Sequence, residues 1–135
     1  MGLNFWFMKL SEKQQEFTFD VSLLIQYAYG LGVRLTMGEA FRTPSQVLLN
    51  YYGGKVVKTK LGLELAAAPK VSKTLNSKHS ERLAIDFNFF LDGELIHDHP
   101  FIDHLGEYWK RLRPDVNRWG GDFKSLNDPY HFERI

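Results

Sequence analysis

The strongest constraint on the fold lies between residues 83 and 90, where apolar side chains recur at every second position. These apolar residues are Leu83, Ile85, Phe87 and Phe89. Side chains along a β-strand point alternately to the two faces of a sheet, so this spacing predicts a strand with one buried face. Asp86 would then lie on the face opposite Ile85 and Phe87. Asp92 and Gly93 follow directly and predict a hairpin turn.

Helical spacing appears on both sides of this strand. Apolar residues recur every three or four positions after Ser11, which is spaced from Gln14 as in a capping box, and glycines stop the run from position 30. Thr43 precedes Pro44 and predicts the N-cap and first position of a second helix. A third helix is predicted over residues 101 to 112.

Short alternating patterns complete the sheet. The predicted strands lie near residues 33 to 37, 83 to 90, 94 to 96 and 130 to 134. Helices gathered around such a sheet make an α+β domain, a small antiparallel sheet flanked by helices.

Length and composition indicate one domain over residues 1–135. The chain has 44% hydrophobic and 15% aromatic residues, enough for one buried core. Its net charge of +1 gives no general drive toward nucleic acid or membrane. The apolar start is too brief for a signal peptide, and no segment approaches the roughly twenty apolar residues of a membrane helix. We expect a monomer that accumulates in the cytoplasm, with no nucleic-acid partner and no stable membrane insertion.

Residues 53 to 78 change character and are rich in lysine. The lysines are Lys55, Lys58, Lys60, Lys70, Lys73 and Lys78. Glu64 is the one acidic residue among them. We interpret residues 55 to 76 as a mobile basic loop, either a solvated excursion or a flap that touches an anionic polymer.

Two histidines and an aspartate form a candidate metal site. Because the chain has no cysteine, a metal would depend on His, Asp and Glu. His79, Asp86 and His131 offer two imidazoles and a carboxylate, which suit Zn²⁺ and leave a fourth position open. His79 lies seven residues before Asp86, so on one continuous strand the two would face opposite ways. His79 is therefore predicted on a turn before the strand, and His131 on a neighbouring strand.

Two further residues would complete a hydrolytic site. Asp128 lies three residues before His131 and is the candidate general base, which takes a proton from the attacking water and passes it to the leaving amine. Arg42 is the candidate partner of the developing oxyanion or of a substrate carboxylate. This combination predicts metal-assisted hydrolysis.

Two other groups of residues compete for a functional role. One is a histidine cluster, His97, His99 and His104, which we interpret as solvated loop histidines rather than a metal site. The other is a set of aromatic residues that we interpret as core rather than as a substrate platform: Phe87, Phe89, Phe90, Trp109 and Phe123.

These motifs resemble the M15 family of zinc peptidases, which contains D-alanyl-D-alanine carboxypeptidases and endolysins, particularly the short phage L-alanyl-D-glutamate endopeptidases. The family signature Ser-x-His-x-x-Gly-x-Ala-x-Asp is matched by Ser77, His79, Ala84 and Asp86. The C-terminal Asp/Glu-x-x-His of the family is matched by Asp128 and His131, and its tryptophan-glycine approach by Trp119, Gly120 and Gly121. Residues 42 to 46 resemble the segment in which the family places a substrate-facing arginine.

The resemblance implies a Hedgehog/DD-peptidase-like fold, with zinc on His79, Asp86 and His131, Asp128 as base and Arg42 at the substrate. It also implies that substrate is contacted by Ser77, Gln46 and Trp119. Its implied activity is cleavage of peptidoglycan stem peptides at L-Ala-D-Glu, by a phage or prophage endolysin that waits in the host cytoplasm and acts on the wall after release. The family glycine is Arg82 here, whose long side chain would narrow the cleft or bind an anionic group.

Three other functions stay open at this point. A D,D-carboxypeptidase or dipeptidase on the same fold would need a closed pocket for a free terminal carboxylate. A non-catalytic, zinc-stabilised phage wall-binding or virion module would keep the metal for folding energy, although it would have no need of Asp128 as a base. A metal-dependent nuclease would favour more clustered carboxylates than the sequence offers.

Overall fold

The computed structural model describes residues 8–72 and 74–135. Within these residues no helix is both long enough and apolar enough to cross a membrane. The apolar start at residues 1–7 and the predicted loop residue Lys73 lie outside the described residues. The elements, in chain order, are α1 (Leu10–Gly30), β1 (Val33–Met37), α2 (Pro44–Tyr52), β2 (Gly54–Thr59), β3 (Gly62–Ala67), β4 (Ala84–Leu91), β5 (Glu94–Leu95), α3 (Pro100–Leu112), β6 (Asn117–Trp119), a 3₁₀ turn (Gly120–Asp122) and β7 (His131–Arg134).

The central strand of the main sheet is β4, and the predicted α+β class is confirmed. The sheet is antiparallel, in the order β1-β4-β7-β6, with β5 also paired to β4. One half of β4 pairs with β1 and the other half with β7, which places Asp86 directly opposite His131. No sequence pattern predicted β6, because three residues are too few to show alternation.

The hydrophobic core lies between the sheet and helices α1 and α3. Trp109 of α3 is fully buried and meets Phe17 of α1 edge to face, with 5.7 Å between ring centroids. The alternate apolar residues of β4 are buried as predicted: Leu83 just before the strand, then Ile85, Phe87 and Phe89. The core interpretation is thus confirmed for Phe87, Phe89 and Trp109, whereas Phe90 and Phe123 are only partly buried.

The helix starts agree in part with the predicted caps. Thr43 caps α2 as predicted, because its Oγ1 accepts a hydrogen bond from the Gln46 amide at 3.2 Å. At α1 the predicted cap is wrong: the N-cap is Lys9, whose amide donates to Glu12 at 3.1 Å. Gln14 does not cap the helix, because its side-chain amide donates to the Glu81 carbonyl at 2.7 Å.

The predicted loop at residues 55 to 76 is wrong over residues 55 to 67, which belong to a β-hairpin of β2 and β3. Leu61, Leu63 and Leu65 do alternate in sequence, but the lysines around them hid the pattern of a strand. No side chain of this β2-β3 hairpin is buried, and the hairpin contacts α2 at its base. The hairpin therefore stands outside the core.

Candidate active site

His79 lies on a turn before β4, as the odd separation from Asp86 predicted. The turn closes with a hydrogen bond from the Leu83 amide to the Lys78 carbonyl at 2.9 Å. Ser77 Oγ accepts from the His79 amide at 3.2 Å, and the His79 side chain is 3% exposed. The local backbone thus fixes the imidazole against the sheet.

Arg82 ends this turn in a conformation that favours glycine. Its φ of 56° lies in the left-handed region, which explains why a glycine suits this position. The Arg82 guanidinium lies over the Phe41 ring, 4.1 Å from its centroid, and Arg82 does not line the cleft described below. The Arg82 side chain therefore does not narrow the cleft, contrary to the expectation from the sequence.

The three candidate metal ligands converge on one position. Asp86 Oδ1 lies 3.4 Å from His79 Nε2 and 3.0 Å from His131 Nδ1. One ligand atom from each of the three residues lies within 4.8 Å of the others. Two ring nitrogens and a carboxylate oxygen are a donor set that fits zinc. The pairing of β4 with β7 supplies this geometry, because it sets Asp86 opposite His131.

Glu133 holds the second ring nitrogen of His131. Its Oε1 lies 2.7 Å from His131 Nε2, while its Oε2 accepts a hydrogen bond from Arg118 Nε at 3.1 Å. A proton on Nε2 would leave the Nδ1 lone pair directed toward Asp86. Sequence reasoning assigned Glu133 no role, although its place two residues after His131 on β7 puts both side chains on one face.

Glu39 occupies the corresponding position near His79. Its Oε1 lies 3.7 Å from His79 Nδ1 and accepts a hydrogen bond from Arg42 Nε at 2.6 Å. Glu39 was also missed, and no periodic pattern marks it, because it lies in the loop between β1 and α2. Each metal-site histidine therefore has a carboxylate near its second nitrogen, and each carboxylate is held by an arginine.

The charges of the site reinforce one another. Burial raises the pKa of Asp86, but its contacts with His131 and His79 outweigh burial and lower the pKa to about 2. Burial likewise lowers the pKa of His131, but its contacts with Asp86 and Glu133 outweigh burial and raise the pKa to about 9. Without a metal, the His131 imidazolium thus lies between two carboxylates. A divalent cation would take the place of that proton.

Asp128 lies beside the ligands on the turn before β7. Its Oδ1 accepts a hydrogen bond from the Tyr130 amide at 3.2 Å, and it lines the same cleft as His131. Burial first, and then the negative charge of Asp86, raise the pKa of Asp128. A carboxylate with a raised pKa is better able to hold a transferred proton, as a general base must.

Trp119 packs against the turn that carries Asp128 and does not line the cleft. Its side chain is buried, and its Nε1 donates to the Pro129 carbonyl at 2.8 Å. Its ring fills the space above Gly106 and Gly121, where an added Cβ would lie 2.1 Å and 2.3 Å from ring atoms. The predicted substrate contact of Trp119 is therefore replaced by a packing role.

The predicted substrate residues are divided between the cleft and the surface. Arg42 and Ser77 line the cleft, and Arg42 Nη1 donates to Ser77 Oγ at 3.3 Å. Gln46 does not line the cleft, because its side-chain amide donates to Asn50 on the same helix at 2.6 Å. Of the predicted substrate contacts, the structure thus places Arg42 and Ser77 in the cleft.

The cleft has a volume of about 660 Å³ and surrounds the three ligands. Arg42 and Arg118 both line it, so cationic groups come from the segment before α2 and from β6. Phe123 also borders the cleft, with its ring centroid 5.8 Å from that of His131, so its predicted core role is wrong.

The competing histidines serve other purposes. His97 Nδ1 lies 2.6 Å from the Tyr130 hydroxyl, and His99 Nδ1 accepts from the Phe101 amide as the cap of α3. Within residues 8–72 and 74–135, no metal-binding group of three contains His97, His99 or His104.

Comparison with known proteins points to one family. Residues 70–134 match the M15 peptidase family described as D-alanyl-D-alanine carboxypeptidase, and this range contains His79, Asp86, Asp128 and His131. No curated protein sequence matches the chain. Among solved structures, the chain has the fold of the L-Ala D-Glu endopeptidase ChiX of Serratia marcescens, at 17% identity and a TM-score of 0.63, over 99% of this chain and 96% of that one. Residues 70–134 are thus similar in sequence to M15 peptidases, and the chain as a whole shares the fold of an L-Ala D-Glu endopeptidase.

Proposed function

We propose that the chain is a zinc-dependent peptidase that cuts peptidoglycan stem peptides, with the L-Ala-D-Glu bond as its target. The observation that carries the proposal is the convergence of His79, Asp86 and His131 in a cleft that also contains Asp128. The M15 family match and the fold of an L-Ala D-Glu endopeptidase support it.

The zinc would be held by His79 Nε2, Asp86 Oδ1 and His131 Nδ1, because these three atoms face one another. When bound, zinc supplies a Lewis acid that activates water and polarises the scissile carbonyl. Glu133 keeps the other His131 nitrogen engaged, so that Nδ1 stays available as a ligand atom.

Asp128 would carry the proton through the reaction. Its carboxylate takes a proton from water as the water oxygen bonds to the peptide carbon, and it returns the proton to the departing amine as the C–N bond breaks. The raised pKa of Asp128 suits both transfers, since the carboxyl must hold the proton between them.

Two arginines would orient the substrate. Stem peptides carry free carboxylates, and Arg42 and Arg118 line the cleft. Both arginines already bind protein carboxylates, Glu39 and Glu133, so substrate would meet preorganised guanidinium groups. Ser77 would hold Arg42 in place through its hydroxyl.

We also propose the biological setting that the resemblance implies: a monomeric phage or prophage endolysin that reaches the wall from the host cytoplasm. A D,D-carboxypeptidase is the second candidate, because the matched family is described by that activity. The two candidates differ in their products, which makes them separable.

The test is mass spectrometry of purified peptidoglycan digested by the zinc-loaded protein. Cleavage at L-Ala-D-Glu would give peptides that begin with D-glutamate, whereas free D-alanine would identify a carboxypeptidase. Asp128→Asn should lower the rate by about 10²- to 10⁴-fold with zinc still bound. Asp115→Asn, which changes an exposed carboxylate outside the cleft, should leave the rate unchanged. Intact peptidoglycan after treatment with the zinc-loaded wild-type protein would contradict the proposal.

A further inference from the structure

The β2-β3 hairpin presents an unusual amount of apolar surface to solvent. Leu61 is 91% exposed, Leu63 is 76% exposed and Leu65 is 75% exposed. Val56 on the neighbouring strand is 53% exposed. Single exposed apolar residues are ordinary, but four neighbouring ones on one small element form an apolar patch of the kind found at interaction sites.

The strand register gathers these side chains on one face. Leu65 pairs with Val56 and Leu63 pairs with Lys58, and directly paired residues of an antiparallel ladder point the same way. Leu61 lies at the tip, in the turn between the strands. The hairpin thus has an apolar face and tip that no described residue buries.

Positive charge lies on and around the hairpin, with Lys55 and Glu64 on the face opposite the leucines. The lysines on or beside the hairpin are Lys55, Lys58, Lys60 and Lys70, against the single acid Glu64. Lys58 shares the apolar face, and Lys60 lies next to Leu61 in the turn. The net charge of +1 for the whole chain therefore hides a local excess of positive charge.

A surface that combines exposed leucines with lysines fits one class of partner best. An anionic wall polymer would pair with the lysines but would offer no apolar surface for the leucines. A second copy of the chain, docked face to face by a two-fold axis, would bring Lys58 and Lys60 close to their own copies. A bilayer rich in anionic lipid satisfies both, because aliphatic side chains enter the interface while lysines reach the phosphates.

We propose that the β2-β3 hairpin is a peripheral membrane-binding element that adsorbs to anionic bilayer surfaces through Leu61, Leu63 and Leu65 with Lys58 and Lys60. Such binding is reversible and needs no membrane-spanning segment. It also has a consequence for the proposed function. Asn50 and Val71 border the cleft just beyond the ends of the hairpin and are joined by a backbone hydrogen bond of 3.0 Å. Adsorption would therefore present the cleft to wall material next to the membrane.

Sedimentation with lipid vesicles tests the proposal without any reliance on hydrolysis. The wild-type chain should sediment with vesicles that contain phosphatidylglycerol, at an ionic strength of about 0.15 M, and should stay in solution with phosphatidylcholine alone. Lys58→Gln with Lys60→Gln should lower the partition coefficient by about 25-fold, at roughly fivefold for each lysine. Leu63→Thr with Leu65→Thr, which keeps strand preference, should lower it by at least about tenfold.

Matched controls change exposed residues in α1 and at its N-cap. Phe19→Ala removes a side chain that is 59% exposed, and Lys9→Gln removes one exposed lysine; both should bind vesicles as the wild type does. Equal binding to both kinds of vesicle, or no binding, would overturn the proposal. So would full binding by the leucine variant, which would indicate a purely ionic contact. A dimer in light scattering that the leucine variant abolishes would assign the face to self-association instead.

Discussion

At the level of single residues, the candidate metal site depends on side chains that would not touch the metal. His131 has two ring nitrogens, and Glu133 engages one of them at 2.7 Å while Asp86 faces the other at 3.0 Å. Contacts with His131 and Arg118 outweigh burial and lower the pKa of Glu133, so it stays an acceptor over a wide range of pH. Glu133 is thus a positioning residue that acts through His131.

Glu133→Ala should therefore weaken zinc binding by about 10- to 100-fold, because the His131 ring loses the contact that fixes its orientation. Glu133→Gln keeps an acceptor oxygen for Nε2 and should bind zinc more tightly than the alanine variant. Competition with a chromophoric chelator measures both affinities directly, without reference to hydrolysis. Wild-type affinity in Glu133→Ala would show that the ring needs no such support.

At the level of elements, the contact between α3 and the 3₁₀ turn aligns the turn that carries Asp128. The Trp119 ring lies against Gly106 of α3 and Gly121 of the turn, and its Nε1 reaches the Pro129 carbonyl. Gly120 allows a second close approach, since an added Cβ would lie 2.1 Å from the Asp128 carbonyl oxygen. Small residues at these positions thus bring Asp128 close to the sheet.

Gly106→Ala should destabilise the fold by about 1–3 kcal/mol, although alanine is the better helix former, because the new Cβ would meet the rigid Trp119 ring. Displacement of Trp119 should also lower hydrolytic activity through Pro129 and Asp128. Gly30→Ala is the matched control: this helical glycine has open space around it, so stability should rise by about 0.5–1 kcal/mol. Chemical denaturation measures both changes, and equal effects would contradict the packing argument.

The sequence predicted those elements whose pattern is long enough to be periodic. The strand around Asp86 and the helix around Trp109 have eight and thirteen residues, and their apolar spacing is clear. The odd separation of His79 and Asp86 also predicted the turn correctly. Strand β6 has only three residues and shows no periodicity. The leucines of β3 alternate, but they are exposed and do not enter the core.

The two supporting carboxylates were beyond prediction for a different reason. Glu39 lies in the loop after β1 and comes close to His79 because β1 pairs with β4. The Asp86 amide donates to the Glu39 carbonyl at 3.0 Å. Such a contact depends on the completed sheet and leaves no local spacing in the sequence. Glu133 had a readable spacing from His131, but its function requires the orientation of the imidazole.

At the level of the whole molecule, a bound metal would connect segments that lie far apart in the chain. His79 comes from the turn before β4, Asp86 from β4 and His131 from β7, near the end of the sequence. The unfolded chain does not hold these ligands together, so the free energy of metal binding adds to that of folding.

Zinc at about 100 times its dissociation constant should therefore stabilise the fold by about 2.7 kcal/mol. Because the His131 pKa is raised from 6.5 to about 9, its proton stabilises the metal-free fold below pH 6.5, and this contribution is lost as the pH rises through 9. Zinc must displace that proton. The free energy by which zinc stabilises the fold should therefore grow between pH 6 and 8, by at most about 1.4 kcal/mol per pH unit. Thermal unfolding with and without zinc measures it. His79→Ala should show little gain, and a gain that falls with rising pH would contradict the proton exchange.

The hairpin that stands outside the core has a consequence for how this chain can be altered. Its two ends return to one another where the Ala68 amide donates to the Gly53 carbonyl at 2.8 Å, so the segment between them leaves and re-enters the molecule at one point. Sequence exchanged between these ends would disturb neither the buried aromatic residues nor the histidines. The position is therefore a suitable graft site, at which another binding segment could replace the hairpin while the rest of the fold is kept.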